Sequence, residues 1–468
     1  PRLNPPRYLY PPIIIPTRGG ARGGATLAPP GPRETLDITL VDLDEVRLRE
    51  LRNRLDIRTV AGWASHPHVL REAGAEDADM LIAVTGSDEV NMVACQVSYS
   101  MFRTPRKIAR VRSAAYVNEK TLFADEHMPV DVFINPEQVV TDHVRLLLEN
   151  PGALQVLDFA EGRVQLVAVR AYASSPLVGQ GLRDVRKRLP NVNTRVAAIF
   201  RGAQPIPPTP TTTIEAGDEV FFIVAAGQIN SVLAELRDVE RAFKRVTIAG
   251  GGNVGARLAA SIERYFNVKL IEFDPGRAER LATALKDTVV IQGDATNPDQ
   301  LRDATHNSDV FCALTNDDEV NIMSSLMAKR YGVRRVMTLI SKPAYADLMR
   351  SGEIDVAISP QQSTTSSLLT HVRRGDVARV HSLRRGAAEA MEAVARGDAK
   401  TSRIVGQPVK ATKLPKGVTV GAIVRGEAVI VEYDDVVIET DDHLILFLTD
   451  KKYVPDVERL FQVGFTFF

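Results

Sequence analysis

The feature that most constrains this chain is that it contains itself twice. The stretch GWASHPHVLREAGAEDADMLIAVTGSDEVNM from Gly62 lines up with GDATNPDQLRDATHNSDVFCALTNDDEVNI from Gly293, a self-similarity with a period of about 230 residues. Pro67 matches Pro298, Asp79 matches Asp309, and Thr85, Asp88, Glu89 and Asn91 match Thr315, Asp318, Glu319 and Asn321. A shorter likeness follows in each half: AAIFRG at Ala197 resembles GAIVRG at Gly421, and IEAGDEVFFIV at Ile214 resembles IETDDHLILFL at Ile438. Each half therefore carries two lobes, and a fold that suits one half has to suit the other.

A chain of 468 residues is too long for one hydrophobic core, which agrees with several lobes. The larger lobe of the second half reads RVTIAG, ARLAASIERYF, VKLIEF, ERLATALKD. Strands alternating with helices signal a parallel sheet with crossover helices. The smaller lobes read as short strands joined by turns. The expected fold is α/β, with two tandem Rossmann-like parallel-sheet lobes at 1–135 and 243–359, each followed by a small α+β lobe, at 155–239 and 380–464.

Chemistry enters at RVTIAG. This β-rich run leads into Gly250, Gly251, Gly252, Asn253, Val254 and Gly255, a G-x-G-x-x-G sequence, and a helical pattern starts at Ala256. In that context Gly250 permits the tight turn, Gly252 lets a pyrophosphate approach the backbone, and Gly255 lets helix and strand pack closely, with phosphate facing the positive end of the helix dipole. Glu272 closes the next strand, about 20 residues on, where an acid accepts hydrogen bonds from ribose hydroxyls and repels a 2′-phosphate. Asp294 follows the third strand, placed to cover an adenine edge, and Thr315 ends the fourth beside the same crevice. The expected ligand is NAD(H), with ATP or ADP as the alternative.

The first half departs from its own repeat. With Asp42 aligned on Glu272, Gly19 and Gly24 take the first and third glycine positions, but Ala21 stands in the middle, where a methyl group obstructs phosphate. Pro11, Pro12 and Pro16 fall in the expected first central strand and Pro29, Pro30 and Pro32 in the first helix; each internal helix proline costs about 3 kcal/mol. Residues 1–33 are therefore expected to be poorly ordered or a degenerate site. Asp42, Trp63, Thr85 and Arg110 remain placed to line a pocket, with the sole tryptophan, Trp63, either stacking on adenine or packing.

With these motifs in place, the chain resembles the TrkA family, the cytosolic NAD-binding subunits of bacterial Trk potassium-uptake systems. The resemblance runs from Leu36 to the C-terminus, through AGWASHP, NPGALQVLDFAEGRVQLVAVRAY and SLRRGAAEAMEAVARGD, and fails before about Arg33. It implies two tandem RCK units assembled as a homotetramer or dimer of dimers, beneath an integral-membrane potassium-transporter subunit at the inner face of the plasma membrane. It further implies nucleotide contacts at residues 250–254, Glu272 and Thr315, and in the first half at Asp42, Trp63, Thr85, Gly86 and Arg110. The glycine loop there, residues 19–23, departs from the pattern, and Trp63 stands where the family often has a polar residue.

Composition narrows the alternatives. Lys plus Arg and Asp plus Glu both total 58, so no basic footprint for nucleic acid is expected. Two cysteines, Cys95 and Cys312, fit a reducing, cytoplasmic compartment. The longest apolar runs fall well short of the roughly 20 residues a membrane span requires, and no secretory leader is visible. A dehydrogenase would share the fold but needs a proton donor beside the nicotinamide, and no His, Lys and carboxylate set clusters in the smaller lobes; a non-enzymatic, regulatory role is expected. His66 and His68 flank Pro67 as a turn, and Asp317, Asp318 and Glu319 suit either a divalent ion or, preferably, the positive end of a helix. Arg373, Arg374, Arg379, Arg384 and Arg385 lie between SSLLTHV and GAAEAMEAVA, both apolar at helical spacing, and are expected to serve subunit contact or docking to the membrane partner.

Overall fold

The structure is a computed structural model that describes residues 13–18, 36–124, 126–236, 242–342, 344–345, 353–372, 376–384 and 387–463. The chain divides into two compact units, residues 1–136 and 137–468.

The first unit is built on a six-stranded sheet of order β3-β2-β1-β4-β5-β6, where β1 is Ile13–Arg18, β2 Leu36–Asp42, β3 Arg58–Ala61, β4 Met80–Ala83, β5 Arg106–Arg110 and β6 Val132–Ile134. Pairs β2–β3, β4–β5 and β5–β6 are parallel. β1 runs antiparallel to both its neighbours, with Ile13 opposite Val41 and Arg18 opposite Leu36. Two expectations change here. Pro16 does not break the central strand but sits within it, opposite Ile38, and the strand enters reversed. Gly19, Gly24 and the proline cluster 29–32 lie outside the described residues. Because β1 ends at Arg18 beside the start of β2, the chain leaves it at the end of the sheet opposite Asp42.

The second unit holds three sheets. β12 (Arg245–Ala249), β13 (Asn267–Glu272), β14 (Val289–Gln292), β15 (Val310–Ala313), β16 (Arg335–Leu339) and β17 (Val356–Ile358) form a fully parallel sheet of order β14-β13-β12-β15-β16-β17. That is the doubly wound arrangement expected, with its switch point between β12 and β15. All four residues of β15 are buried, as a central strand covered on both faces requires.

The two smaller lobes are copies. β7 (Ala153–Phe159), β8 (Val164–Arg170), β9 (Thr194–Arg201), β10 (Gln204–Ile206) and β11 (Glu219–Ala225) make an antiparallel sheet of order β10-β9-β11-β8-β7. β18 (Val377–Leu383), β19 (Ala388–Val394), β20 (Val418–Arg425), β21 (Ala428–Ile430) and β22 (His443–Leu448) repeat it. The copies pack on each other through Phe200, Phe221 and Phe447, whose ring centroids lie 5.1–6.3 Å apart. Gly421 is obligatory here, since a Cβ would stand 2.4 Å from Ile223 Cγ1. Arg384 reaches across to Glu219 and to the Gly202 carbonyl, with its guanidinium 4.1 Å from the Phe200 ring centre. In return Arg163 donates to the Gly426 carbonyl, the matching turn of the other copy.

This packing overturns two readings. AAEAMEAVA, apolar at helical spacing, is the strand β19, buried along its whole length. Its Glu392 is 3% exposed, and accepts from His443 Nδ1 at 2.6 Å and from the Ala160 N–H at 2.9 Å. Arg384, and Arg379, which donates to the Asp158 carbonyl at 2.8 Å, hold the two small lobes of this chain together and are not a docking face. Arg373, Arg374 and Arg385 lie outside the described residues.

Candidate functional site

In the second half the glycine turn sits at the carboxyl end of β12, facing the ends of β13 and β15. Gly250 has φ of +99°, a conformation that favours glycine, and a Cβ on it would lie 2.9 Å from the backbone of Thr315. Gly255 opens onto the preceding turn so closely that a Cβ would fall 1.9 Å from the Gly250 carbonyl oxygen. Gly252 is different. It caps the helix Asn253–Ile262 without a side-chain hydrogen bond, and nothing lies within 4 Å of where its Cβ would point. The space that a phosphate needs at a helix N-terminus is open at that glycine.

Glu272 ends β13, is 4% exposed, and points at the turn. Its Oε2 accepts from the Gly251 N–H at 2.7 Å, and its Oε1 accepts from the Asp274 N–H at 2.8 Å and from Arg277 Nη1 at 3.4 Å. Gly251 is thereby explained, since a Cβ there would meet Leu281 at 2.4 Å and the Glu272 carboxylate at 2.9 Å. Asp294 closes an Asx turn, accepting from Thr296 N–H and Oγ1 at 2.8 and 2.7 Å. An acceptor for ribose, an open helix end and a second carboxylate at the next strand end are the donor and acceptor set an adenine nucleotide requires, so these residues fit one.

The first half assembles a comparable group among its described residues, Gly19 and Gly24 lying outside them. Asp42, Leu43, Arg47, Trp63, Thr85 and Gly86 line one cavity of about 230 Å³. Trp63 is 51% exposed, so it is not part of the core. Asp42 Oδ1 accepts from the Asp44 N–H at 3.1 Å, and Arg47 lies 3.5 Å from Oδ2. Arg110 does not join them: it is 4% exposed at the end of β5 and is not among the residues lining the cavity.

What the repeated T-x-x-D-E-V-N segment does was missed from sequence, although its recurrence was the signal. Asn321 Oδ1 accepts from Thr315 N–H and Oγ1 at 2.9 and 2.7 Å, and its Nδ2 donates to the Leu339 carbonyl at 3.0 Å. Asn91 does the same with Thr85 and the Arg110 carbonyl. Both asparagines are fully buried, so each ties two strand ends together beside the crevice, and the threonine hydroxyls are engaged there. The acids that follow are structural too. Asp318 accepts from the N–H groups of Ser341 and Lys342, as Asp88 does from Arg112 and Ser113. Burial raises the Asp88 carboxyl, but the donors of Ser113 and Arg112 outweigh it and hold it below its ordinary value. Hydrogen bonds from Lys342 and Tyr345 lower Glu319 to about 2. Asp317 caps its helix through the Val320 N–H, and no group of three metal-ligating side chains occurs among the described residues. His66, Pro67 and His68 form the start of a helix and not the expected turn: His66 is the N-cap of Pro67–Glu72, and His68 lies within it.

Set against known proteins, the TrkA-N domain family matches residues 19–136 and 246–360, and the TrkA-C domain family matches 166–237 and 398–462. The chain belongs to the TrkA family. It is 59% identical over 451 residues to the Trk system potassium uptake protein TrkA of Halomonas elongata, covering 96% of this chain and 99% of that one. The namesake in Vibrio alginolyticus is 54% identical over 446 residues, covering 95% and 97%. Among solved structures, the RCK domain of GsuK superposes with a TM-score of 0.54 at 17% identity, covering 90% of this chain and 89% of that one. A GsuK channel bound to NAD superposes at 0.55 and 17%, covering 90% and 74%. At such identities these structures speak for the tandem RCK fold. Among the described residues no helix is long and apolar enough to cross a membrane.

Proposed function

We propose that this chain is the regulatory subunit of a potassium-uptake transporter and that NAD(H), or ATP or ADP, is its signal, bound at the 250–255 turn with the ribose on Glu272. The observation that carries this is the pairing of an open Gly252 at the head of a helix with a buried carboxylate 2.7 Å from the Gly251 N–H. Relatives named as potassium uptake proteins across nearly their whole length supply the physiological setting, and a similarly folded channel solved with NAD supplies a precedent for the ligand. The partner is an integral-membrane potassium-transporter subunit, contacted at the inner face of the membrane by a homotetramer or dimer of dimers.

A subunit of this kind controls transport by coupling its conformation to a partner. A ligand that prefers one ring conformation a hundredfold supplies about 2.7 kcal/mol per site, and several sites in an oligomer add. The test is to measure potassium flux in vesicles carrying the membrane subunit with this chain added, with and without NADH. Nucleotide-dependent flux supports the proposal; flux indifferent to every adenine nucleotide defeats it. Turnover over a panel of alcohols and hydroxy acids with NAD would instead favour a dehydrogenase.

A further inference from the structure

Glu272 has little room left for a sugar. Its Oε2 accepts from the Gly251 N–H, and its Oε1 from the Asp274 N–H and from Arg277 Nη1. A carboxylate has about four acceptor positions, so these donors leave one, on Oε2, for a ribose that offers two hydroxyls. The two backbone donors belong to the glycine turn and to the start of the helix Pro275–Ala284, and neither can leave without undoing its element. Arg277 can. Its contact is the longest of the set, at 3.4 Å, and its side chain is half-exposed. The pair also recurs: Asp42 and Arg47 stand at the same spacing, 3.5 Å apart, with Arg47 on the first turn of the helix Glu45–Arg54. A half-exposed pair of this length contributes little to stability, so stability does not account for its recurrence.

We propose that Arg277 sets coenzyme choice at the second-half crevice: it yields Oε1 of Glu272 to a 2′-hydroxyl and pairs with a 2′-phosphate when the ligand carries one, so that NADPH is admitted beside NADH. The proposal rests on the reading above that Glu272 holds the ribose, and goes beyond it in the class of ligand the site takes. An acid at the end of this strand by itself repels a 2′-phosphate, whereas an arginine nearby accommodates one. Here both stand at one place. The guanidinium and two N–H groups answer the charge of the carboxylate, and a planar fork can donate to two phosphate oxygens at once. The Arg277 N–H is held by Asp274 Oδ1 at 2.6 Å. That backbone contact does not depend on the side chain, which can turn from carboxylate to phosphate without loosening the helix end.

Calorimetric titration of the full chain with NADH and NADPH tests this, with Gly252→Val as the reference that assigns heat to the second-half site. In the parent both coenzymes are expected to bind there, NADPH within about thirtyfold of NADH. Arg277→Ala should raise the ratio of the NADPH to the NADH dissociation constant by about tenfold or more, the low end of what losing a hydrogen bond to a charged group removes. A melting curve checks that the variant folds, and Arg277→Lys, which keeps the charge without the fork, should raise the ratio less. An arginine with a merely structural role would move both coenzymes together. NADPH more than about thirtyfold weaker than NADH in the parent, or a ratio that rises less than about tenfold in Arg277→Ala, overturns the proposal and leaves NADH on Glu272 standing. Absence of heat with both coenzymes removes the functional reading as well.

Discussion

Replacing Glu272 by alanine tests both the architecture and the chemistry of the second-half crevice. The substitution removes a carboxylate that accepts from the Gly251 N–H at 2.7 Å and the Asp274 N–H at 2.8 Å. A hydrogen bond to a charged group contributes about 1.5–3 kcal/mol, and a buried donor left without a partner costs about 1–3 kcal/mol. Gly251 is buried, so its N–H has no easy route to water, whereas Asp274 is exposed and rehydrates. The lobe should lose about 2–4 kcal/mol of stability. NADH affinity should fall by a further 1.5–3 kcal/mol for the lost ribose contact, roughly ten- to a hundredfold. Glu272→Gln keeps a neutral acceptor for Gly251 and should recover most of the stability but only part of the affinity. Calorimetric titration with NADH beside denaturant melts separates the two effects. An alanine variant that melts and binds as the parent does would refute the reasoning, because Glu272 would then neither brace the turn nor hold the sugar.

Other consequences follow from contacts already described. Gly255→Ala, with its new methyl 1.9 Å from the Gly250 carbonyl oxygen, should destabilise by more than about 2 kcal/mol; a melting midpoint equal to the parent's contradicts that close approach. Asn321→Ala breaks a buried tie between two strand ends and should cost about 2–4 kcal/mol, seen as faster amide exchange at Thr315; unchanged exchange excludes the clasp. Acid should destabilise the second unit. Desolvation lowers His143 to about 4 and His381 to about 3, with Arg379 adding to the latter. The unfolded chain therefore binds protons first, and stability falls as pH drops below about 6.5 toward those values, by at most about 1.4 kcal/mol per unit and per residue. His381→Gln should flatten that slope between pH 6.5 and 4, and an equal slope in the variant removes the histidine from the account.

The second-half site was legible because its constraints are local. Turn, phosphate approach and helix packing each need a glycine at fixed spacing, and the acid follows one strand later, so residues 250–255 and Glu272 carry their geometry in their order. The first half was only partly legible. Asp42, Trp63, Thr85 and Gly86 were found by matching the repeat, but the direction of β1 depends on the ladder it joins, and Pro16 in a central strand runs against the usual confinement of proline to edges. β19 misled for a physical reason. Glu389 and Glu392 stand three apart, which imitates one polar stripe of a helix, yet both are buried in a strand covered on two faces, with Glu392 satisfied by His443 and the Ala160 N–H. No local pattern announces a partner more than two hundred residues away. The same holds for Arg379 and Arg384, whose clustering in sequence suggested a surface and whose acceptors lie in the other small lobe.

Gly252→Val probes the central claim most directly, because the parent backbone there is extended, with φ of −71° and ψ of −168°, and the space beyond it is open. The variant should fold with a loss of no more than about 1 kcal/mol while its isopropyl group fills the place proposed for the phosphates. Calorimetry with NADH should show the second-half class of sites gone at an almost unchanged melting temperature. Undiminished NADH affinity and stoichiometry in a folded Gly252→Val protein would contradict the account, since the phosphates would then rest somewhere other than the head of that helix.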